Sequence, residues 1–184
     1  MSAVDSSLSQ YRELRTRVDA LFGEIRARHP DSFACRLGCH ACCKPGLTVN
    51  ALEREEIARF LSTHPELFAE LLAMEKTDPH SGKRCAFLGS EGTCRIYESR
   101  PLVCRSHGAP LQFRPLQSRP GDESAVRERD ACPLNFTGEN IGTLPASDVI
   151  NLDTLNTLLA LLSQRAFPGD ESRTPLRASA LGPK

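Results

Sequence analysis

The chain has 184 residues, with 23 Lys or Arg and 23 Asp or Glu, so its formal net charge is zero. This balance gives no overall attraction to nucleic acid or to an anionic membrane. An aromatic content of 5% without tryptophan leaves little material for stacking nucleic-acid bases. The length suits one ordinary domain with its own hydrophobic core.

The first part of the chain is predicted to be helical. Apolar residues recur at steps of three and four over residues 5–28, which predicts an amphipathic helix. Asn50 and Glu53 have the spacing of a capping box, so a second helix should start near residue 50. Pro65 suits the first position of a third helix, which we expect to run to about residue 76.

The middle of the chain is predicted to be irregular. Glycine and proline interrupt residues 33–47, which we expect to form a loop. Within residues 77–110, the short apolar pieces 86–88 and 94–97 can pair as a small hairpin. Residues 110–131 are rich in proline and charge, and we expect a mobile loop there.

Two regular elements are expected nearer the C-terminus. A short strand is predicted at residues 111–113, and a helix is predicted at about residues 147–166. Pro168 and Gly169 should end this helix. The apolar face of the helix, which we expect to lie in the core, consists of Leu152, Leu155, Leu158, Leu159 and Leu162.

These elements predict a mainly α fold, a small single domain of three to four helices around an irregular cysteine-rich metal-binding centre. Residues 1–32 would be an N-terminal amphipathic helix packing on the domain, and residues 33–167 the cysteine-cluster metal-binding domain. Residues 168–184 are polar with two further prolines, and we expect a disordered tail.

The expected compartment is the cytoplasm. The N-terminus has no basic stretch followed by an apolar run, the mark of a secretory signal. No segment approaches the ~18 consecutive apolar residues of a transmembrane helix, so we expect no membrane association. Thiols stay reduced in the cytoplasm, which makes a disulfide-stabilised scaffold the least favoured hypothesis.

Eight cysteines are the main chemical feature of the sequence, and four of them fall within nine residues, in the stretch CRLGCHACC. In a cytoplasmic chain such crowding indicates metal or redox chemistry. Zinc sites and iron–sulfur clusters both need several sulfurs to converge on one point. The predicted metal ligands are Cys35, Cys39, Cys42, Cys43, Cys85, Cys94, Cys104 and Cys132.

The adjacent pair Cys42 and Cys43 bears on the number of metal ions. Neighbouring side chains of an extended backbone point to opposite sides, so this pair favours two metal ions or a cluster over a single zinc. Cys132 stands alone, and packing as a small hydrophobic residue is an equal alternative to ligation there. His40 and His107 lie beside cysteines, and roles as ordinary polar residues or as hydrogen-bond donors to ligands are favoured over ligation there.

Residues around the later cysteines can also serve a metal centre. Ile96 and Tyr97 can cover the site and keep water out. Arg95, Arg100 and Arg105 can offset the negative charge of several thiolates, with surface solubility or a salt bridge to Glu98 as the alternative.

These motifs resemble those of the CxxCxxCC family of zinc- or iron-chelating proteins, the YkgJ type. An early cysteine cluster is followed by a segment of the form C-x-F-L-x-x-x-G-x-C-x-I-Y-x-x-R-P-x-x-C-R. This chain matches that segment at Cys85, Phe87, Leu88, Gly92, Cys94, Ile96, Tyr97, Arg100, Pro101, Cys104 and Arg105. One departure is the three-residue spacing between Cys35 and Cys39, which the loop can absorb through Gly38.

The resemblance implies a metal-chelating protein whose cofactor is zinc or iron, including iron in an iron–sulfur cluster. A metal ion is the implied partner, with no clear nucleic-acid signature and no identifiable protein partner. The alternative function is an iron–sulfur oxidoreductase or a protein-modifying enzyme, since a similar cluster occurs in flagellin lysine N-methylases. No catalytic residue can be named, and the sequence does not decide whether the protein is an enzyme.

Overall fold

The structure, a computed structural model, describes residues 2–77, 82–115 and 126–183. It is about 52% helical with few strands, which confirms the predicted mainly α class. Contacts between Cα atoms divide the chain into two compact units. The first comprises Met1–Arg12, Arg36–Pro101 and Ala160–Lys184, and the second comprises Glu13–Cys35 and Leu102–Leu159.

The helices of the described residues are α1 Ala3–Arg28, α2 Ala51–Ser62, α3 Pro65–Thr77, α4 Leu102–Ser106, α5 Leu152–Ala166 and α6 Ala178–Leu181. Short 3-10 helices lie at Pro30–Ser32, Tyr97–Ser99, Ile141–Thr143 and Ala146–Asp148. The strands are β1 Thr48–Val49, β2 Leu111–Phe113, β3 Glu128–Asp130, β4 Ile150–Asn151 and β5 Thr174–Pro175. None of the helices in the described part of the chain is long and apolar enough to span a bilayer.

The first unit is built on α2 and α3. Asn50 caps α2 as predicted, because its side-chain oxygen accepts a hydrogen bond from the Glu53 backbone N–H at 2.9 Å. Pro65 begins α3, where its missing N–H costs no helical hydrogen bond. The side chains of Leu52, Ile57, Leu61 and Leu71 are fully buried, so these two helices supply much of the core of this unit.

The C-terminal segment also belongs to the first unit, which corrects the prediction of a disordered tail over residues 168–184. β5 pairs antiparallel with β1, and α6 packs against α2 and α3. Leu176 and Leu181 are buried, and Glu75 of α3 accepts the Ala178 backbone N–H at 2.6 Å. Two well-spaced leucines are enough to anchor a short segment whose composition is otherwise polar.

The second unit contains a three-stranded sheet of order β3-β2-β4. β2 lies antiparallel to β3, with Gln112 opposite Arg129, and parallel to β4, with Leu111 opposite Ile150. The strand predicted at residues 111–113 is therefore confirmed. Residues 116–125 of the predicted 110–131 loop lie outside the described residues.

Two elements differ from the sequence prediction. The last helix, expected from residue 147, begins at Leu152, because the preceding residues pair with β2 and the Asn151 side chain caps the helix by accepting the Thr154 N–H. On this helix Leu155 and Leu159 are buried as expected, whereas Leu158 is 43% exposed. The hairpin expected between 86–88 and 94–97 is reduced to a single bridge that joins Leu88 and Cys94.

Candidate metal centre

In the first unit, the early cysteine segment is a loop shaped by backbone hydrogen bonds, as predicted. The Cys39 N–H donates to the Arg36 carbonyl, and the Cys43 N–H donates to the His40 carbonyl, each at 2.9 Å. Cys39, Cys42 and Cys43 are all half-buried in this loop. Two successive turns thus gather three thiols within a few residues.

A backbone hydrogen bond joins this loop to the later cysteine segment. The Cys85 N–H donates to the Cys43 carbonyl at 3.0 Å. Gly92 approaches the same loop so closely that a Cβ atom there would lie 2.9 Å from the Gly38 carbonyl oxygen and 3.0 Å from His40 Nδ1. Its φ of +73° also favours glycine, so a larger residue would push the two segments apart.

Backbone hydrogen bonds and buried side chains hold the later segment in shape. The Arg95 N–H donates to the Phe87 carbonyl at 2.9 Å, and the Gly89 N–H donates to the Thr93 carbonyl at 2.8 Å. The side chains of Phe87 and Ile96 are each 1% exposed. This small anchored loop carries Cys85 at its start and Cys94 at its end.

Four thiols of the first unit are close enough to influence one another. A hydrogen bond with Cys42 raises the pKa of the Cys43 thiol, and burial and repulsion from Cys42, Cys85 and Cys94 raise it further. Burial raises the pKa of the Cys85 thiol, to which Cys42 also contributes. Both effects favour the neutral thiol; a bound cation has the opposite effect and favours the thiolate.

The hydrogen bond between Cys42 and Cys43 changes the interpretation of the adjacent pair. The argument from opposite sides of the chain assumed an extended backbone, but the backbone turns here, with the Lys44 N–H donating to the Cys42 carbonyl at 2.8 Å. The argument from opposite sides of an extended chain therefore does not apply to this doublet.

In the second unit, Cys35 lies beside a buried amide that sequence reasoning missed. Asn135 Nδ2 donates to Cys35 Sγ at 3.2 Å and to the Gly108 carbonyl at 2.7 Å, while its Oδ1 accepts the Ala34 N–H at 2.9 Å. Gly108 has a φ of +110°, which favours glycine, and a Cβ there would make a tight contact of 3.3 Å with Cys35 Sγ. The sequence carries no signal for the role of Asn135, since a lone asparagine three residues after Cys132 is typical of a turn.

The other two cysteines of the second unit lie on different elements. Cys132 is buried, and its carbonyl accepts the Asn135 N–H at 2.8 Å in a turn. Cys104 lies on α4 and is half-buried. The turn at Cys132 therefore helps to fix the amide that holds Cys35.

The arginines of the later segment have carboxylate or aromatic partners. Arg95 pairs with Glu70, and Arg105 pairs with Asp19. The Arg100 guanidinium lies 3.8 Å from the centroid of the Tyr97 ring, a cation–π contact. The carboxylate partners favour the salt-bridge alternative for Arg95 and Arg105, although with acids other than the expected Glu98.

Of the two residues expected to cover the site, one is buried and the other is exposed. Ile96 is buried as expected, but Tyr97 is 60% exposed, so it does not exclude water.

His40 is exposed and its Nδ1 lies 3.0 Å from the Gly38 carbonyl oxygen. If Nδ1 donates this hydrogen bond, the lone pair of Nε2 is available to a metal ion. His107 is also exposed.

The chemistry of the donors fits zinc or iron. All eight cysteines are free thiols, and thiolates are preferred ligands of both metals. Within residues 2–77, 82–115 and 126–183, no group of three or more His, Cys, Asp or Glu side chains has the arrangement of a formed metal site. Binding would require the thiols to lose their protons and turn toward the ion.

Comparison with known protein families agrees with this chemistry. Residues 34–133 match the CxxCxxCC family, described as a "putative zinc- or iron-chelating domain". Comparison with curated proteins and with solved structures finds no match. The matched residues make up more than half of the chain and include all eight cysteines. The chain therefore belongs to the CxxCxxCC family of zinc- or iron-chelating domains.

Proposed function

We propose that this protein binds zinc or iron through its cysteine cluster, inside the cytoplasm. The proposed ligands are Cys35, Cys39, Cys42, Cys43, Cys85, Cys94, Cys104 and Cys132, and among them Cys42, Cys85 and Cys94 are the thiols that raise the pKa of Cys43. One bound ion needs four of these donors if it is a structural zinc, and a cluster needs four cysteines as well.

The observation that carries the proposal is the junction of the two cysteine segments. The Cys85 N–H bonds to the Cys43 carbonyl, and the pKa of the Cys43 thiol responds to Cys42, Cys85 and Cys94. Cysteines about forty positions apart in the sequence therefore lie on segments that contact each other, which supports a shared site. A cation bound among these thiols would favour their thiolate forms and offset the repulsion between them.

Metal analysis of the protein purified without oxygen tests the proposal. The full-length chain should be produced in medium supplemented with zinc and iron, and analysed for metal content, acid-labile sulfide and visible absorption. Stoichiometric zinc in a colourless protein would identify a zinc site. Iron with labile sulfide and a broad band near ~400 nm would identify an iron–sulfur cluster. Protein that retains neither metal would contradict the proposal.

The matched variants are serine substitutions at the junction. Cys43→Ser and Cys85→Ser each keep a side chain of similar size but remove a thiolate, so we expect metal content to fall several-fold. Ser90→Ala changes an exposed serine of the same segment and should leave metal content unchanged. An oxidoreductase or protein-modifying role gains no support from the family match and is not part of the proposal.

A further inference from the structure

The first unit contains a cavity of about 230 Å³ next to the cysteine cluster. Its walls come from the Lys44–Thr48 loop, from α3, from the segment around Cys85 and from the residues that follow β5. Pockets for drug-sized ligands are larger, at about 300–1,000 Å³. The cavity thus has the size for a small metabolite rather than a nucleotide or a peptide.

The charge of the cavity wall is positive. Lys44, Arg84 and Arg177 line the cavity, and Glu75 is the acidic side chain among the lining residues. The Glu75 carboxylate already accepts backbone N–H groups from Ala178 at 2.6 Å and Ser179 at 3.2 Å. Arg84 already interacts with another residue. Lys44 and Arg177, two cations in a concave wall with one hydrogen-bonded carboxylate, favour an anionic ligand.

The cavity adjoins the candidate metal centre through a shared residue. Cys85 lines the cavity, and its backbone N–H bonds to the Cys43 carbonyl in the cysteine loop. Part of the wall, Pro175–Arg177, lies outside residues 34–133, which match the family. The cavity is therefore completed by a segment of this chain beyond the matched domain.

We propose that this cavity binds a small molecule carrying a carboxylate or phosphate group, held by Lys44 and Arg177 against Cys85. The evidence for anion binding is the cavity and the charge of its wall. A role for that molecule beside a metal, as an added ligand or as the form in which metal arrives, rests on the proposed function.

Calorimetric titration of the full-length protein tests the inference. Succinate and inorganic phosphate serve as the two anionic probes, and succinamide serves as the neutral match of succinate. We expect binding of at least one anion, no binding of succinamide, and weaker binding as salt concentration rises. Tight binding of phosphate alone would assign a phosphate ligand, and tight binding of succinate alone would assign a carboxylate.

Charge-neutralising variants locate the binding. Lys44→Gln and Arg177→Gln should each weaken anion binding by about tenfold, the effect of losing one charge-assisted hydrogen bond. Lys83→Gln changes an exposed cation that does not line the cavity, so its affinity should stay within about twofold. Equal weakening by Lys83→Gln and Arg177→Gln would show general surface attraction and overturn the inference. Absence of binding by both anions would overturn it as well.

Alkylation of Cys85 provides a second measurement. Two reagents are compared at the same thiol, so the ratio of their rates does not depend on the acidity of that thiol. Iodoacetate and iodoacetamide both react when the thiolate attacks carbon and iodide leaves, but only iodoacetate is anionic. The ratio of their rates at Cys85, counted by peptide mass spectrometry, should be several-fold higher in the wild type than in Arg177→Gln. A ratio that Arg177→Gln leaves unchanged would contradict the inference.

The two proposals can fail separately. Anion binding to a protein that retains no metal in metal analysis would sustain this inference and contradict the proposed function. Retained metal without anion binding would do the reverse.

Discussion

Asn135 connects three parts of the second unit through one side chain. Only 4% of the residue is exposed, and its amide bonds to the Ala34 N–H, the Gly108 carbonyl and the Cys35 thiol. Asparagine suits this position because its amide carries both a donor and an acceptor group. A composition-based interpretation could not find it, since a single asparagine in a turn is an ordinary surface residue.

Asn135→Ala should destabilise the protein by about 2–3 kcal/mol, because two buried backbone groups would lose their partner. Urea unfolding followed by circular dichroism measures this change. Asn156→Ala, at an exposed position of α5, is the matched control and should stay within about 0.5 kcal/mol of the wild type. An equal effect of the two substitutions would contradict the network.

Gly92 is one of the places where the two cysteine segments approach each other closely. Gly92→Ala should cost about 1–3 kcal/mol through backbone strain alone, and contact with the Gly38 carbonyl adds to this cost. The same variant should lose metal more readily, since the segments would separate.

Gly23→Ala is the control for that substitution, because a Cβ at Gly23 in the middle of α1 meets no atom within 4 Å. It should stabilise the helix by up to about 1 kcal/mol. In unfolding curves Gly23→Ala should therefore be more stable than the wild type and Gly92→Ala less stable, and Gly92→Ala should retain less metal. Similar behaviour of both would contradict the close approach at Gly92.

At the scale of elements, α2 and α3 could be predicted because local rules define them. Asn50 provides a cap and Pro65 a first helical residue, and neither depends on distant contacts. α6 could not be predicted in this way. Its four residues show no periodicity, and its order comes from burial of Leu181 and from Glu75 on α3, which are tertiary contacts.

The order of the C-terminal segment can be tested at Leu181, whose side chain is fully buried. Leu181→Ala should destabilise the protein by about 2–5 kcal/mol, as expected for a truncated core leucine. Leu161→Ala, at a position of α5 that is 64% exposed, should cost less than about 0.5 kcal/mol. A disordered tail would make both substitutions nearly neutral in thermal or urea unfolding.

The end of α1 is joined to the Ala146–Asp148 helix by an acid-sensitive contact. Asp148 accepts hydrogen bonds from His29 at 2.6 Å and from Arg28 at 2.8 Å. The bond with His29 is the main cause that lowers the pKa of Asp148, with smaller contributions from Ser147 and Arg28. The folded state therefore favours the ionised carboxylate.

This lowered pKa predicts a stability change in acid. The contribution of Asp148 should be present in full above about pH 4, the unfolded pKa, and should be lost as the pH falls through the lower folded pKa. Asp148→Asn should make unfolding free energy less dependent on pH in this range. Asp31→Asn, which removes an exposed carboxylate outside this contact, is the matched control. Parallel profiles for wild type and Asp148→Asn would contradict the contact.

For the whole molecule, the cysteine pattern predicted the metal-binding chemistry, but it did not predict how the backbone arranges the cysteines. The spacing of CRLGCHACC and the later segment indicated a shared centre, and the bond between Cys43 and Cys85 agrees with that indication. The argument for two metal ions from Cys42 and Cys43 assumed an extended backbone, whereas the backbone turns at Cys42 through hydrogen bonds that side-chain spacing does not reveal. The basic cavity was missed because Lys44, Arg84 and Arg177 come together only in the fold.

The central claim is that cysteine sulfurs hold the metal. X-ray absorption at the zinc or iron edge of the metal-loaded protein measures the ligand type directly. The account predicts a first shell dominated by sulfur, at about 2.3 Å for zinc, with fewer sulfurs per metal in Cys43→Ser and Cys85→Ser. A shell of nitrogen and oxygen at about 2.0–2.2 Å, unchanged by either substitution, would contradict it.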